Sequence, residues 1–406
     1  MMNLSWKKWK PGDKHLINRI QWDEEEIKMI IEVLQQDWFG HGPINEALEQ
    51  KMADYTGVKY FNLVNSGSSA IAVAVEALIQ TGRLKHGDKV LHPVTTFPTS
   101  ISSAIRSGLI PVFVDTLPNT YVIDHNQVKD AIKKYPDIKG AIIPHLIGNI
   151  PDMDQIKEIL EDRFIIEDAC DTLGGKINGK HSGHHGDFIA YSFYGSHHIT
   201  AAGGGGALGT NSTELANIAK SIIFWGRDFN VSDSFLDRYK YKTLGMNCQM
   251  TAIQAAFALK QMDRIDQFVE ARAKQFEEMI NLFNKFKAYF ELPKENKTIQ
   301  PSWFAFPVIV KESAPFTREE FVRYLADNGV EIRPIMCGNI LKQSPFRNAN
   351  YVSINSDSFP VGDAINERGL FIPCWGMAEE QKEDYYSILN RYFEKVGASL
   401  MLEMEK

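Results

Sequence analysis

The chain has 406 residues, of which 44% are hydrophobic and 23% charged, with a formal net charge of −7. That length exceeds one ordinary core, so two subdomains are expected, and the composition is that of an ordered globular protein. The acidic balance argues against nucleic acid or an anionic membrane as partner, while leaving room for a local basic pocket.

The first twenty residues carry basic side chains with no apolar stretch behind them, so no secretory signal is read there. Asp23 is a plausible N-cap, with acids in the first turn and Ile27, Ile30, Ile31 and Leu34 at helical spacing; this predicts a helix over 23–37. Gly40, Gly42 and Pro43 break the chain before a second amphipathic helix with Ile44, Leu48, Met52 and Tyr55, ended by Gly57.

From there the pattern alternates. Strands are predicted at Tyr60–Val64, Lys89–His92, Ile110–Asp115, Gly140–His145 and Phe164–Glu167. Helices fall between them at Ser68–Ile79, Thr99–Arg106, Gln127–Lys134 and Asp154–Leu160. Alternation of this kind indicates an α/β fold with a mostly parallel sheet. The apolar stretch from Ala70 to Ile79 is broken by Glu76 and is too short to span a bilayer. A long charged helix from Phe268 leads into short strands (Trp303–Val310) and a helix (Arg318–Asn328), which places a large domain at 1–264 and a smaller one at 265–406.

Ligands of such sheets bind beyond the carboxyl ends of the strands. The polar groups at those ends are Asn65–Ser69, His92–Phe97, His145 and Asp168. Asn65-Ser66-Gly67-Ser68-Ser69 between a strand and a helix can form a phosphate cup or an ordinary N-cap. Asp168 ends an apolar strand; it either meets a positive partner such as a protonated pyridine nitrogen or caps a helix. Cys170, Cys248, Cys337 and Cys374 form no CxxC pair, which fits reduced thiols in a cytoplasmic enzyme. His181, His184, His185, His197 and His198 crowd one region, but their spacing matches no standard metal site, and no metal is expected.

Tyr191-Ser192-Phe193-Tyr194-Gly195-Ser196-His197-His198-Ile199-Thr200, followed by Gly203–Gly206, resembles the lysine motif of the DegT-type nucleotide-sugar aminotransferase and dehydratase family. In that motif Ser-Phe-x-x-x-Lys precedes Gly-Glu/Asp-Gly-Gly. Asn65–Ala70 matches the family's phosphate loop, Thr95–Pro98 its Thr-Phe motif, Glu167-Asp168 its acidic motif, and Asn247 an asparagine that reaches the neighbouring subunit. The resemblance covers nearly the whole chain.

It implies a PLP-dependent transferase of fold type I, aspartate-aminotransferase-like, with a smaller C-terminal α+β domain. It also implies roles residue by residue. Gly67, Ser68, Ser69 and Ser192 hold the phosphate of pyridoxal 5′-phosphate (PLP) or its amine form (PMP), joined by Asn247 from the other protomer of a homodimer. Phe97 stacks on the ring, and Asp168 keeps its nitrogen protonated.

The Schiff-base lysine of relatives is His197 here, and His197-His198-Ile199-Thr200 resembles the branch of 4-keto-6-deoxyhexose 3-dehydratases. An imidazole cannot anchor PLP but can move protons near neutrality. The resemblance therefore implies non-covalent PLP/PMP, a nucleotide-linked keto-sugar substrate, glutamate as amino donor, and loss of the C3 hydroxyl with His197 as base. An aminotransferase without a covalent anchor, or a silent PLP-binding paralogue, are the alternatives. His198 is expected to orient its neighbour or to pack. Arg227, Lys242, Arg333 and Asn339 are substrate candidates. Relatives with an iron–sulfur cluster carry cysteines after Trp-Gly-Arg-Asp; Phe229–Ser234 holds none, so no cluster is expected. Two positions depart from the pattern: Gly204 replaces the motif's acid and Gly195 its proline.

Overall fold

The structure is a computed structural model that describes residues 7–232, 234–294 and 296–404, the stretch 397–404 by backbone alone. Met1–Trp6, part of the amino-terminal reading, and Asp233, within the cysteine-free run, lie outside these residues.

Eight strands build the main sheet: β1 (Tyr60–Val64), β2 (Lys89–Pro93), β3 (Ile110–Val114), β4 (Ile138–Pro144), β5 (Phe164–Asp168), β6 (Phe188–Ser192), β7 (Gly206–Thr210) and β8 (Val352–Ser353). Their spatial order is β1-β7-β6-β5-β4-β2-β3-β8. Only β7 runs against its neighbours, pairing antiparallel with β1 and β6. The other pairs are parallel. The sheet is buried on both faces, which is why strands such as Phe164–Asp168 read as continuous apolar runs. Ile142 and Ile166 pack into one cluster with Ala70, Ala74 and Leu78 of the Gly67–Gln80 helix, while Ile143 and Ile165 face Met153, Ile156 and Leu160.

The first helix spans Glu24–Gln35 and opens with a complete capping box between Asp23 and Glu26. The second spans Pro43–Thr56 and ends at Gly57 with φ +76°, the left-handed stop that glycine allows. Between 169 and 264, where no regular element is predicted, the chain forms β6, β7 and the helices Thr213–Ile223 and Ala252–Met262. Strand β7 escapes a reading by pattern because its glycines (Gly206, Gly209) dilute the apolar signal.

A second, antiparallel sheet joins Phe290–Glu291, Phe306–Val310 and Gly369–Ile372. Phe283, Phe290, Phe306, Phe321 and Phe393 fill the space against it. Ile17, Leu146 and Ile147 enter the same cluster, so the turn after β4 is gripped by the carboxyl-terminal core. A Cβ at Gly148 would lie 2.0 Å from the Ser302 carbonyl oxygen, and Gly148 itself has φ +89°. That turn therefore requires glycine at this position.

Beneath the future site, Glu167 on β5 is fully buried. Its carboxylate accepts N–H bonds from Gly183 (3.1 Å), His185 (3.1 Å) and Gly186 (3.0 Å), tying the loop before β6 under the sheet. Burial pushes its pKa up and the three N–H donors oppose this. Replacing Glu167 with alanine orphans all three donors. The expected cost is at least about 3 kcal/mol, read as a lower midpoint in chemical denaturation.

Candidate active site

The carboxyl ends of β4, β5 and β6 open onto a cavity of about 590 Å³. Its lining includes Ser66, Gly67, Ser68, Phe97, Asp168, Ser192, His197 and Arg333, which the fold brings together from five separate segments of the sequence. No lysine is among the described residues that line it.

At one end the Gly67–Gln80 helix begins. Ser66 caps it, its hydroxyl accepting from the Ser69 N–H at 3.1 Å. A Cβ at Gly67 would meet Cys170 Sγ at 2.6 Å and Ser192 Cβ at 2.8 Å, so the approach is closed to any larger residue. Free backbone N–H groups, a positive dipole end and the hydroxyls of Ser68 and Ser192 converge here, the donor set that a phosphate needs. Ser69 lies one residue beyond the lining and turns its hydroxyl to Asn65 Oδ1 (2.6 Å). Phe97 stands 49% exposed at the cavity, a ring face available for stacking.

Asp168 sits at the end of β5 and is buried. Ser100 Oγ donates to its Oδ2, and the Cys170 N–H to its Oδ1 at 3.3 Å. No cation reaches it within ion-pair distance among the described residues. A carboxylate so placed is ready for a positive ring nitrogen, and the phosphate end and this acid fit the two ends of a phosphopyridoxyl group.

His197 enters from the turn after β6. The turn is held by Ala201 N–H to Phe193 O (3.0 Å), by Thr200 Oγ1 to Phe193 O (3.0 Å), and by Asn18 Nδ2 to His197 O (3.0 Å). Tyr194 and Phe304 meet the imidazole edge-on, with centroids at 6.1 and 5.2 Å. Burial lowers the imidazole pKa to about 3, with Arg272 and Arg333 adding to the shift. Arg272 is itself buried, donating to the carbonyls of Phe304 (2.7 Å) and Cys374 (3.3 Å). The imidazole is therefore neutral at physiological pH, the form that accepts a proton.

The remaining candidates do not line the cavity. Asn339 is buried, its Nδ2 bonded to Asp363 Oδ1 (2.9 Å) and its Oδ1 capping the Leu341 N–H (3.0 Å). Its amide is spent on holding a turn, which removes it from the substrate set expected of it. Arg227 stacks on Phe229 at 5.4 Å, and Lys242 is exposed with its N–H on Gly226 O (2.7 Å). Asn247 is also exposed, bridged to Phe224. These three share one loop region with Phe235, Leu236 and Leu244, which are 94%, 83% and 84% exposed.

The crowded histidines go to separate partners: His184 to Thr56 O (3.0 Å), His185 to Asp154 (2.9 Å), His198 to Ser302 Oγ (2.9 Å). Gly195 and Gly204 sit in open space, with only Ile20 Cδ1 within 4 Å of a Cβ at Gly195 and nothing at Gly204. Asp171, Tyr194 and Phe304 surround His197 but are not singled out by sequence; only the position of Asp171, three residues after Asp168 at the end of β5, hints at a shared site.

The chain matches the model of the DegT/DnrJ/EryC1/StrS aminotransferase family over residues 21–389. It belongs to this family. The lipopolysaccharide biosynthesis protein RfbH of Salmonella typhimurium is 34% identical over 352 residues, 80% of this chain and 80% of that one. The GDP-4-keto-6-deoxy-D-mannose 3-dehydratase of Yersinia pseudotuberculosis is 32% identical over 388 residues, covering 91% of this chain and 96% of its own length. Among solved structures, the Escherichia coli GDP-4-keto-6-deoxy-D-mannose-3-dehydratase with bound hydrated PLP superposes with a TM-score of 0.86 at 28% identity, over 95% of this chain and 99% of that one. GDP-perosamine synthases also occur among the relatives. The fold is thus that of the PLP-dependent aminotransferases, as expected from the motif order.

Gly67→Ala is expected to weaken PLP binding by at least about tenfold, or 1.4 kcal/mol, in an absorbance titration. Circular dichroism should show the fold retained.

Proposed function

We propose that this DegT-family member is a PLP/PMP-dependent 3-dehydratase of a nucleotide-linked 4-keto-6-deoxyhexose, serving dideoxysugar and lipopolysaccharide O-antigen synthesis in the cytoplasm. The observation that carries the reading is the neutral His197 in a cavity whose described lining contains no lysine. The dehydratase named above supports the same assignment through its similarity over nearly the whole chain.

The cofactor, when bound, supplies an amine for the sugar's C4 ketone and a conjugated ring that takes up electrons. This chain does the rest. The helix start at Gly67, with Ser68 and Ser192, holds the phosphate, while Ser69, expected beside them, has its hydroxyl and N–H bonded to Asn65 and Ser66 instead. Asp168 keeps the ring nitrogen protonated, and Phe97 covers one ring face. With the cofactor bound, His197 Nε2 would take a proton at the cofactor's C4′ carbon and pass it to the C3 hydroxyl, which would leave as water. The products would be the 4-keto-3,6-dideoxy sugar and ammonia, and glutamate, becoming its 2-keto acid, would supply the replacement amine. Because no amine side chain competes for the aldehyde, the cofactor is held without a covalent tether.

Arg333 faces the cavity from the carboxyl-terminal part, its guanidinium braced on Glu331 at 2.7 and 3.0 Å, and contacts the sugar nucleotide. Arg227, Lys242 and Asn247 serve a second protomer's site across a homodimer; the exposed Phe235, Leu236 and Leu244 beside them fit a surface covered by that copy. We place the division between the two domains at 264/265, where the long helix Ile265–Asn284 begins.

Incubation with PMP, glutamate and a panel of GDP-, CDP- and dTDP-4-keto-6-deoxyhexoses tests the reaction by product mass. Dehydration gives a product one oxygen poorer, whereas amino transfer keeps the 3-hydroxyl and overturns the reading. His197→Asn is expected to lower dehydration at least about 100-fold while PMP binding persists.

A further inference from the structure

Resting on the reading of His197 as the base, we propose that Asp171 is its positioning partner, a buried carboxyl that orients the imidazole and offsets the charge it acquires. Asp171 lines the same cavity and is 8% exposed. Its Oδ1 stands 3.5 Å from His197 Nε2. The opposite ring nitrogen, Nδ1, is buried with no hydrogen-bond partner among the described residues, so Nε2 is the atom turned towards the cavity and the acid.

The carboxyl is aimed by a strained turn. Ile147 donates its N–H to Asp171 Oδ2 at 3.2 Å and has φ +55°, a left-handed conformation that a β-branched residue rarely adopts. The same turn accepts the Phe304 N–H on Ile147 O at 2.9 Å, and Phe304 is the ring against the imidazole edge. One turn thus sets both the acid and the aromatic wall around His197. Its strain is opposed by burial of Leu146 and Ile147 in the carboxyl-terminal core.

The electrostatics give the pairing a purpose. The groups facing this pair are Asp168, Cys170, His145, Tyr194, His198, Arg272 and Arg333. Arg272 and Arg333 penalise an imidazolium, and burial penalises it more. Burial and the nearby Asp168 raise the Asp171 carboxyl to about 7, against the opposing pull of the Ile147 N–H. The near-neutral ionisation is therefore that of Asp171, 3.5 Å from an imidazole that stays neutral and senses it. Below it, the Asp171 proton faces Nε2 and competes with substrate. Above it, the carboxylate stands ready to balance the proton that Nε2 takes up.

The test is Asp171→Asn, with Asp171→Glu as the variant that keeps a carboxyl. Isotope-edited NMR of histidine in the cofactor-free protein should show a His197 response near pH 7 in the parent and in Asp171→Glu. Asp171→Asn should lose it. With saturating PMP, kcat of the parent should rise with pH through about 7; in Asp171→Asn that limb should vanish and kcat fall about 100-fold. Melting curves identify any variant that fails to fold, and Asp171→Glu then decides alone by keeping or losing the response. A parent-like His197 response and pH profile in Asp171→Asn would overturn the pairing. If His197→Asn turns over like the parent, the base assignment falls instead, while the NMR titration still decides whether the two groups are coupled.

Discussion

A buried imidazole cannot easily carry a proton, and the whole site follows from that constraint. His197 is enclosed by Tyr194, Phe304 and Asp171, with the buried Arg272 behind it, so its resting form is neutral. A lysine at this position would face the same penalty on its charge and could answer it by bonding covalently to an aldehyde. Histidine has no such answer. It can still take up and release a proton, but it forms no stable covalent link to an aldehyde.

The fold builds the cavity from two ends. The parallel strands deliver the Gly67 helix start and Asp168 to one edge of the sheet, so a phosphate and a ring nitrogen can be held at fixed separation. The carboxyl-terminal core closes the other side through Phe304, Arg333 and Phe371. The Leu146–Gly148 turn is the point where the two packings meet, since Leu146 and Ile147 belong to the carboxyl-terminal cluster while Gly148 lies against Ser302. Strain at Ile147 is tolerable there because packing on both sides leaves the backbone no alternative.

Local pattern made much of this legible in advance. Tyr60–Val64 is a strand with the bounds that its apolar run predicts, and Asp23 caps the first helix as its position before three acids requires. The alternation of strands and helices up to residue 168 follows from period and turn residues alone. What pattern could not reach was set by tertiary contact. Strand β7 is glycine-rich, and β8 is only two residues long, recruited to the sheet edge from the carboxyl-terminal third. Asn339 looked available for a substrate, yet its amide closes a turn against Asp363. Asp171 and His197 are distant in sequence, and only folding places them 3.5 Å apart. The motif order singled out His197; it carried no information about what stands beside it.

The central claim is that vitamin B6 is held here with an imidazole, not an amine, at its reactive carbon. Borohydride reduction of the PLP-loaded protein, followed by peptide mass analysis, tests it most directly. The account predicts that no lysine-containing peptide gains the phosphopyridoxyl mass and that the cofactor is recovered free. A reduced phosphopyridoxyl-lysine peptide in stoichiometric yield would contradict it.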